Sequence, residues 1–255
     1  MNRIEAAFQN KKAFIPFITA GDPSLEVTQE LVIRMAEAGA DIIELGIPFS
    51  DPVAEGSVIQ DADYRALSGG VTTDKIFDMV TRIRKVSNVP LVFMTYANPV
   101  YTYGTDHFMD NCKKAGIDGI IVPDVPYDEK TELQPYCEKY GITLISMIAP
   151  TSRERIHRIA KEAEGFLYCV SSMGVTGTRN EIGSAAEDMI RQVKEVKDIP
   201  CAIGFGISTP EQAKRMSGFS DGVIVGSAIV KIIAGYGKDC IPHVVEFVRG
   251  MKETM

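Results

Sequence analysis

The feature that most narrows what this chain can fold into is a unit that recurs along its whole length. An apolar run rich in Ile and Val gives way to a turn, then to an amphipathic segment, and the next apolar run follows at once. Eight such runs are readable: Ala13–Thr19, Ala40–Gly46, Pro90–Tyr96, Gly119–Pro123, Thr143–Ile148, Phe166–Ser171, Cys201–Phe205 and Asp221–Gly226. Their nearly unbroken apolar character is that of parallel strands buried on both faces. The punctuation agrees. Gly39, Gly116, Gly141 and Gly165 each fall just past a predicted helix, where a left-handed residue closes the last turn. Helix starts are predicted at Thr151, Ser184 and Ser208, each followed three positions on by a glutamate, Glu154, Glu187 and Glu211.

Eight units of about 30 residues each, in a chain of 255 residues without a linker or low-complexity break, predict one domain over residues 1–255. Its fold class is α/β, a single (β/α)8 TIM barrel, which this many strands favours over an open doubly wound sheet. Two segments lie outside the repeat. Met1–Gln9 reads as an extra amino-terminal helix placed to plug the base of the barrel, and Ile241–Lys252 as an additional carboxyl-terminal helix.

Composition sets the class of partner. A net charge of −7 argues against nonspecific binding to nucleic acid or an anionic membrane. The amino terminus lacks the apolar core of a signal peptide and no run is long enough to span a bilayer, so a cytoplasmic location is expected. Five scattered cysteines without a CxxC pair read as buried thiols. His107, His157 and His243 fall in probable helices, and neither a nucleophile motif nor HxH or HExxH occurs, so no metal site is expected.

In a barrel the chemistry sits at the carboxyl ends of the strands. There, an acid interrupts an apolar run: Glu44, in Asp41-Ile-Ile-Glu-Leu-Gly46. Alternation puts Ile42, Glu44 and Gly46 on one face and Ile43 and Leu45 on the other. If that face is the interior, the carboxyl rises into the mouth, where desolvation suits it to proton transfer near neutral pH. A glutamate satisfied by a neighbouring Tyr or Ser hydroxyl, with no part in turnover, is the other reading. The following loop, 48–60, adds Asp51 and Glu55. Three late turns are rich in glycine: Gly174 to Gly177, Gly204 to Gly206, and Gly226 with Ser227 at the start of a short helix. Together they predict a phosphate site built of backbone N–H groups and a helix dipole. The polar stretch 174–183 is a candidate lid. Asp22 and Asp124, each next to proline, read as turn formers.

These residues carry a resemblance. Pro16-Phe-Ile-Thr-Ala-Gly-Asp-Pro23, Glu44-Leu-Gly-Ile-Pro-Phe-Ser-Asp-Pro52 with Gly56 and Gln60, Tyr96-Ala-Asn98, Pro123-Asp-Val-Pro126, Gly174-Val-Thr-Gly177, Gly204-Phe-Gly-Ile207 and Gly226-Ser-Ala-Ile-Val230 occur in the order found in tryptophan synthase alpha subunits. The chain resembles that family over essentially its full length. The resemblance implies a lyase in tryptophan biosynthesis that cleaves indole-3-glycerol phosphate to indole and glyceraldehyde 3-phosphate, without metal or organic cofactor. It implies Glu44 and Glu55 as the catalytic pair, Thr176 as the residue that holds the second acid, Tyr168 lining the site near Glu44, and Phe17 and Tyr96 walling the indole. Phosphate would meet Gly177, Gly206, Gly226 and Ser227. The partner implied is the beta subunit, a pyridoxal-phosphate enzyme, in an alpha2beta2 complex, and the apolar segment 98–103 after the third strand suits such an interface.

Two positions depart from the family pattern. Glu55 stands where an aspartate is usual, adding one methylene of reach, and Ser171-Ser-Met173 lacks the usual basic residue before the lid. Two other classes therefore stay open: another phosphate-binding barrel, an isomerase or epimerase, and a weakly catalytic subunit whose task is to activate the beta chain.

Overall fold

The computed structural model describes residues 2–170, 179–204 and 206–255, and over 179–183 the backbone alone. Among them are nine strands: β1 (Ala13–Thr19), β2 (Ile43–Gly46), β3 (Leu91–Met94), β4 (Gly119–Ile121), β5 (Thr143–Leu144), β6 (Ser146–Ile148), β7 (Leu167–Val170), β8 (Cys201–Gly204) and β9 (Gly222–Val225). All pairings are parallel, in the order β5-β4-β3-β2-β1-β9-β8-β7-β6. The two ends of that order are halves of one run. The predicted fifth strand, Thr143–Ile148, is interrupted at Ile145. Its first half pairs with β4 and its second with β7, which closes the cylinder. Barrel strands are tilted and staggered, so one run meets its two neighbours at different heights. The eight-unit barrel is thus present, with its fifth run serving as the seam.

Two apolar cores follow from the period of two along each strand. Outward residues such as Phe14, Ile43, Leu45, Phe93 and Ile203 pack under the helices. Inward residues, among them Ile15, Ile42, Val92, Ile121 and Phe166, fill the cylinder. The amino-terminal helix, Arg3–Ala7, plugs the base as predicted: Asn2 and Glu5 form a reciprocal cap, and Ile4 and Ala7 join the inner core. Gly119 and Gly222 make room for it. A Cβ on Gly119 would lie 3.1 Å from Ile4 Cδ1, and one on Gly222 would lie 3.1 Å from Phe8 Cε1. The carboxyl-terminal helix runs Ile241–Glu253. Its Lys252 reaches Asp41, which also accepts from Lys11 and from the Phe14 N–H, so both chain ends are tied at the base.

The four predicted glycine stops all take positive φ, from 64° at Gly165 to 109° at Gly39. Helix starts differ from expectation. The helix after β6 is capped by Ser152, one residue past Thr151, and the helix after β8 by Thr209 with Gln212, one past Ser208 and Glu211. In each case the neighbouring hydroxyl residue has the extended backbone that lets it accept from the third residue on. Ser184 lies inside a helix, Arg179–Lys194, so the described part of the 174–183 stretch is helical. The apolar segment after β3 is also a helix, Ala97–Tyr103. Its start is held by Asp124 from the next loop, whose two carboxyl oxygens accept from Ala97 N at 3.0 and 3.2 Å. The loop after β2 is shorter than expected, because the helix Ser57–Ser68 begins three residues before its predicted end at Gln60.

Candidate active site

A cavity of about 600 Å³ opens at the carboxyl ends of the strands. Its walls include Phe17, Glu44 and Tyr168 on strands β1, β2 and β7, and Glu55, Gly206 and Ser227 from the segments after β2, β8 and β9. A second cavity, of about 210 Å³, lies beside Val122 to Pro126 and the seam strand. Its cations are already engaged, Lys130 by Glu162 and Arg155 by Asp128. Chemistry therefore falls to the first.

Glu44 sits on β2 between Phe17 of β1 and Val92 of β3, with its side chain pointing inward and wholly buried. Neither carboxyl oxygen has a hydrogen-bond partner among the described residues. Burial pushes its pKa up to about 8, so the group is a neutral acid at pH 7. That geometry disfavours the reading in which a Tyr or Ser hydroxyl satisfies it. A buried polar group without a partner costs roughly 1–3 kcal/mol, and a chain retains such a group where a ligand or a reaction uses it. Tyr168 lies across the interior, its hydroxyl driven upward by burial and by Glu44.

Two glycines frame the rings. A Cβ on Gly204 would fall 2.5 Å from the Tyr168 hydroxyl, and one on Gly46 would fall 2.6 Å from Phe17 Cζ. Real Cβ atoms do not approach that closely, so the two rings stand where they do because these strand ends carry no side chain.

Glu55 is half-buried in the loop that follows β2. Its backbone C=O accepts from Gln60 Nε2 at 2.7 Å, and its side chain pairs with the Asp63 carboxyl beside the Tyr96 hydroxyl. Burial raises its pKa. Asp63, which sequence reasoning missed, is 3 % exposed. Desolvation and the Glu55 charge push it up to about 8, while the Phe49 N–H and the Thr19 hydroxyl, 3.4 Å away, act in the opposite direction. The signal that would have found it is the one that exposed Glu44. Ile59, Ala62, Asp63 and Ala66 form the buried stripe of the helix Ser57–Ser68, and an acid stands where that period calls for an apolar residue.

Tyr96, expected to wall the indole, is set back from the cavity. It is 2 % exposed, its hydroxyl accepts from Ala54 N at 3.2 Å, and its ring lies 5.5 Å from Phe49, so it anchors the loop. Gly206 takes a φ of 75°, and Gly226 caps the ten-residue helix Ser227–Tyr236 without a side-chain hydrogen bond; the Ile229 N–H donates to the Gly226 carbonyl, which leaves the Ser227 and Ala228 N–H groups at the helix start. Lys231, one turn along, adds a positive charge to the same wall. Thr176 and Gly177 lie outside the described residues.

The expected turn formers are structural. Asp22 is buried and accepts two 2.8 Å bonds from Arg65, joining the loop after β1 to the helix that carries Asp63. All five cysteines are free and buried, and no cluster of metal-binding side chains occurs among the described residues.

Residues 4–255 match the family model described as tryptophan synthase alpha chain. The alpha chain of Lacticaseibacillus casei is 51 % identical over 234 residues, covering 92 % of this chain and 88 % of that one. That of Caldanaerobacter subterraneus is 47 % identical and covers all of both chains. The chain belongs to the tryptophan synthase alpha chain family. Its fold agrees with the Legionella pneumophila alpha subunit at a TM-score of 0.91 and 37 % identity, over 100 % of this chain and 98 % of that one. It also agrees with a chain of the Pyrococcus furiosus tryptophan synthase a2b2 complex at 0.87 and 38 %, over 94 % and 98 %. In this chain the barrel mouth presents two glutamates of unlike setting, one locked on a strand and one delivered by a loop.

Proposed function

We propose that Glu44 and Glu55 are the acid–base pair with which this lyase cleaves indole-3-glycerol phosphate to indole and glyceraldehyde 3-phosphate. The observation that carries the assignment is the unpartnered, buried carboxyl of Glu44 at the floor of a cavity whose rim offers backbone N–H groups. Breaking the bond between indole C3 and the glycerol chain needs a proton delivered to C3, a hydrogen bond drawing on the indole N–H, and removal of the adjacent hydroxyl proton. Glu44, protonated at neutral pH, supplies the first and as a carboxylate receives the last. Its charge state is restored within one turnover. Glu55 accepts from the indole nitrogen. Phe17 and Tyr168 hold the ring, and Gly206, Gly226, Ser227 and Lys231 receive the phosphate, whose negative charge the helix start favours. Thr176 and Gly177 belong to the same proposal.

The protein works in the cytoplasm as one barrel domain over residues 1–255, with a tryptophan synthase beta subunit on the mouth face. No helix among the described residues is long and apolar enough to cross a membrane. Val53, in the loop that carries Glu55, and Tyr101, in the helix after β3, are 79 % and 46 % exposed, an apolar surface suited to a docked partner. Such docking would steady the loop that holds Glu55.

Cleavage assayed with and without the beta subunit tests the assignment. Glu44→Gln is expected to lose roughly 10²–10⁴ of kcat while still binding a substrate analogue. Near-parental turnover would remove Glu44 from the mechanism.

A further inference from the structure

We propose that Asp63 is the positioning residue of the second acid: its carboxyl shares one proton with Glu55 and holds that side chain so that one oxygen faces the substrate. The inference rests on the role proposed above for Glu55. Asp63 is carried by the helix Ser57–Ser68, is buried, and accepts from the Thr19 hydroxyl at 3.4 Å, so it is the more rigid post, whereas Glu55 sits on a loop. The Arg65–Asp22 pair ties the same helix to the end of β1.

Around the two acids, β1 contributes Thr19, the loop after β2 contributes the Phe49 N–H, and the end of β3 contributes the Tyr96 hydroxyl. Among the described residues no Lys or Arg forms an ion pair with either carboxyl, since Arg65, two residues on, is turned to Asp22. Two carboxyls that hydrogen-bond each other with no cation paired to either do not both ionise at neutral pH, so one proton stays between them. With that proton on Asp63, its O–H donates to Glu55, and Glu55 keeps the negative charge. Glu55 lines the cavity, so the carboxylate that keeps the charge is the acceptor offered to an N–H arriving there. Loss of the shared proton at alkaline pH places two like charges side by side, and the loop-borne one yields.

The test uses the full-length chain labelled with ¹³C at the aspartate carboxyl, so that Glu44 and Glu55 are silent, with Asp63 assigned by the resonance missing from Asp63→Asn. One aspartate should titrate near pH 8, and Glu55→Gln should lower that midpoint by roughly 1–3 pH units, the usual effect of a neighbouring charge. A midpoint unmoved by Glu55→Gln, or every aspartate titrating below about pH 5, overturns the proposal. In cleavage with the beta subunit, Asp63→Ala should lose roughly tenfold to a hundredfold in kcat with KM nearly constant. Asp63→Asn, whose amide still donates, should recover most of that loss and remove the alkaline step due to Asp63. Equal losses in the two variants overturn it as well. If the parent titrates as described yet fails to cleave indole-3-glycerol phosphate, the proton sharing stands and the function proposed for Glu55 falls.

Discussion

Asp41 and Glu44 stand at opposite ends of the same short run, both are buried, and their surroundings have nothing in common. At the base, Asp41 accepts from Lys11, Lys252 and the Phe14 N–H, so its charge is compensated from three directions. At the mouth, Glu44 has no partner among the described residues and is pushed toward the neutral form. The base acid binds the chain ends together. The mouth acid is kept free at a cost in stability, and that freedom is what a proton-transfer group needs. The contrast recurs within the mouth: Asp22 is held by Arg65, while Glu55 and Asp63 have only each other and neutral donors.

The comparison can be broken at either end. The greatest expected effect is the loss of roughly 10²–10⁴ in kcat for Glu44→Gln, together with a gain in stability. Because the folded pKa of Glu44 lies above its unfolded value, the folded state binds the extra proton between about pH 4.5 and 8, and stability falls as pH rises through that window. Gln removes the decline, so urea titrations of parent and variant should agree near pH 4 and diverge by on the order of a few kcal/mol at pH 8.

Next is Asp41→Asn, which leaves two ammonium groups without their carboxylate. Both lysines are partly exposed and screened, so a loss of about 1–3 kcal/mol in the same titration is expected, with kcat per folded molecule unchanged. A fall in kcat instead would mean that the base and the mouth are not separable. Gly204→Ala probes the mouth without touching a charge: its Cβ forces Tyr168 aside, and catalytic efficiency should drop roughly tenfold. The smallest effect is expected for Val53→Asp, which should weaken stimulation by the beta subunit while leaving cleavage by the isolated chain within about twofold.

The eight-unit barrel was legible because each strand is a separate apolar run and most helices end at a glycine. The seam was not, since a break at Ile145 comes from the stagger of a closed sheet and nothing in Thr143–Ile148 marks it. Glu44 was visible as an acid in a period-two run. Asp63 carries the same signal in a period of 3.6, and would have been seen had the buried face of its helix been read for charge. Glu55 has no local signature at all. Its setting depends on Tyr96 and Asp63, which are 41 and 8 positions away in sequence, and only the resemblance to a family pointed to it. Tyr96 was expected beside the indole; a tyrosine at a strand end can offer its ring or its hydroxyl, and here the hydroxyl accepts from Ala54 N.

The order of the strands also sets a timetable. β1 lies between β2, its near neighbour in sequence, and β9, which it meets through Ala13 to Pro16 and Gly222 to Val225. On the ribosome, then, one edge of the first strand stays unmatched until nearly the whole chain has emerged, and an unmatched edge is a template for unwanted pairing. Residue 3 onward folds into the helix that later seals the base, and the helix Ile241–Glu253 fastens to Asp41 only after Lys252 has emerged. A nascent barrel of this kind is most vulnerable to aggregation just before β9 emerges, when the other described strands exist and the cylinder is still open.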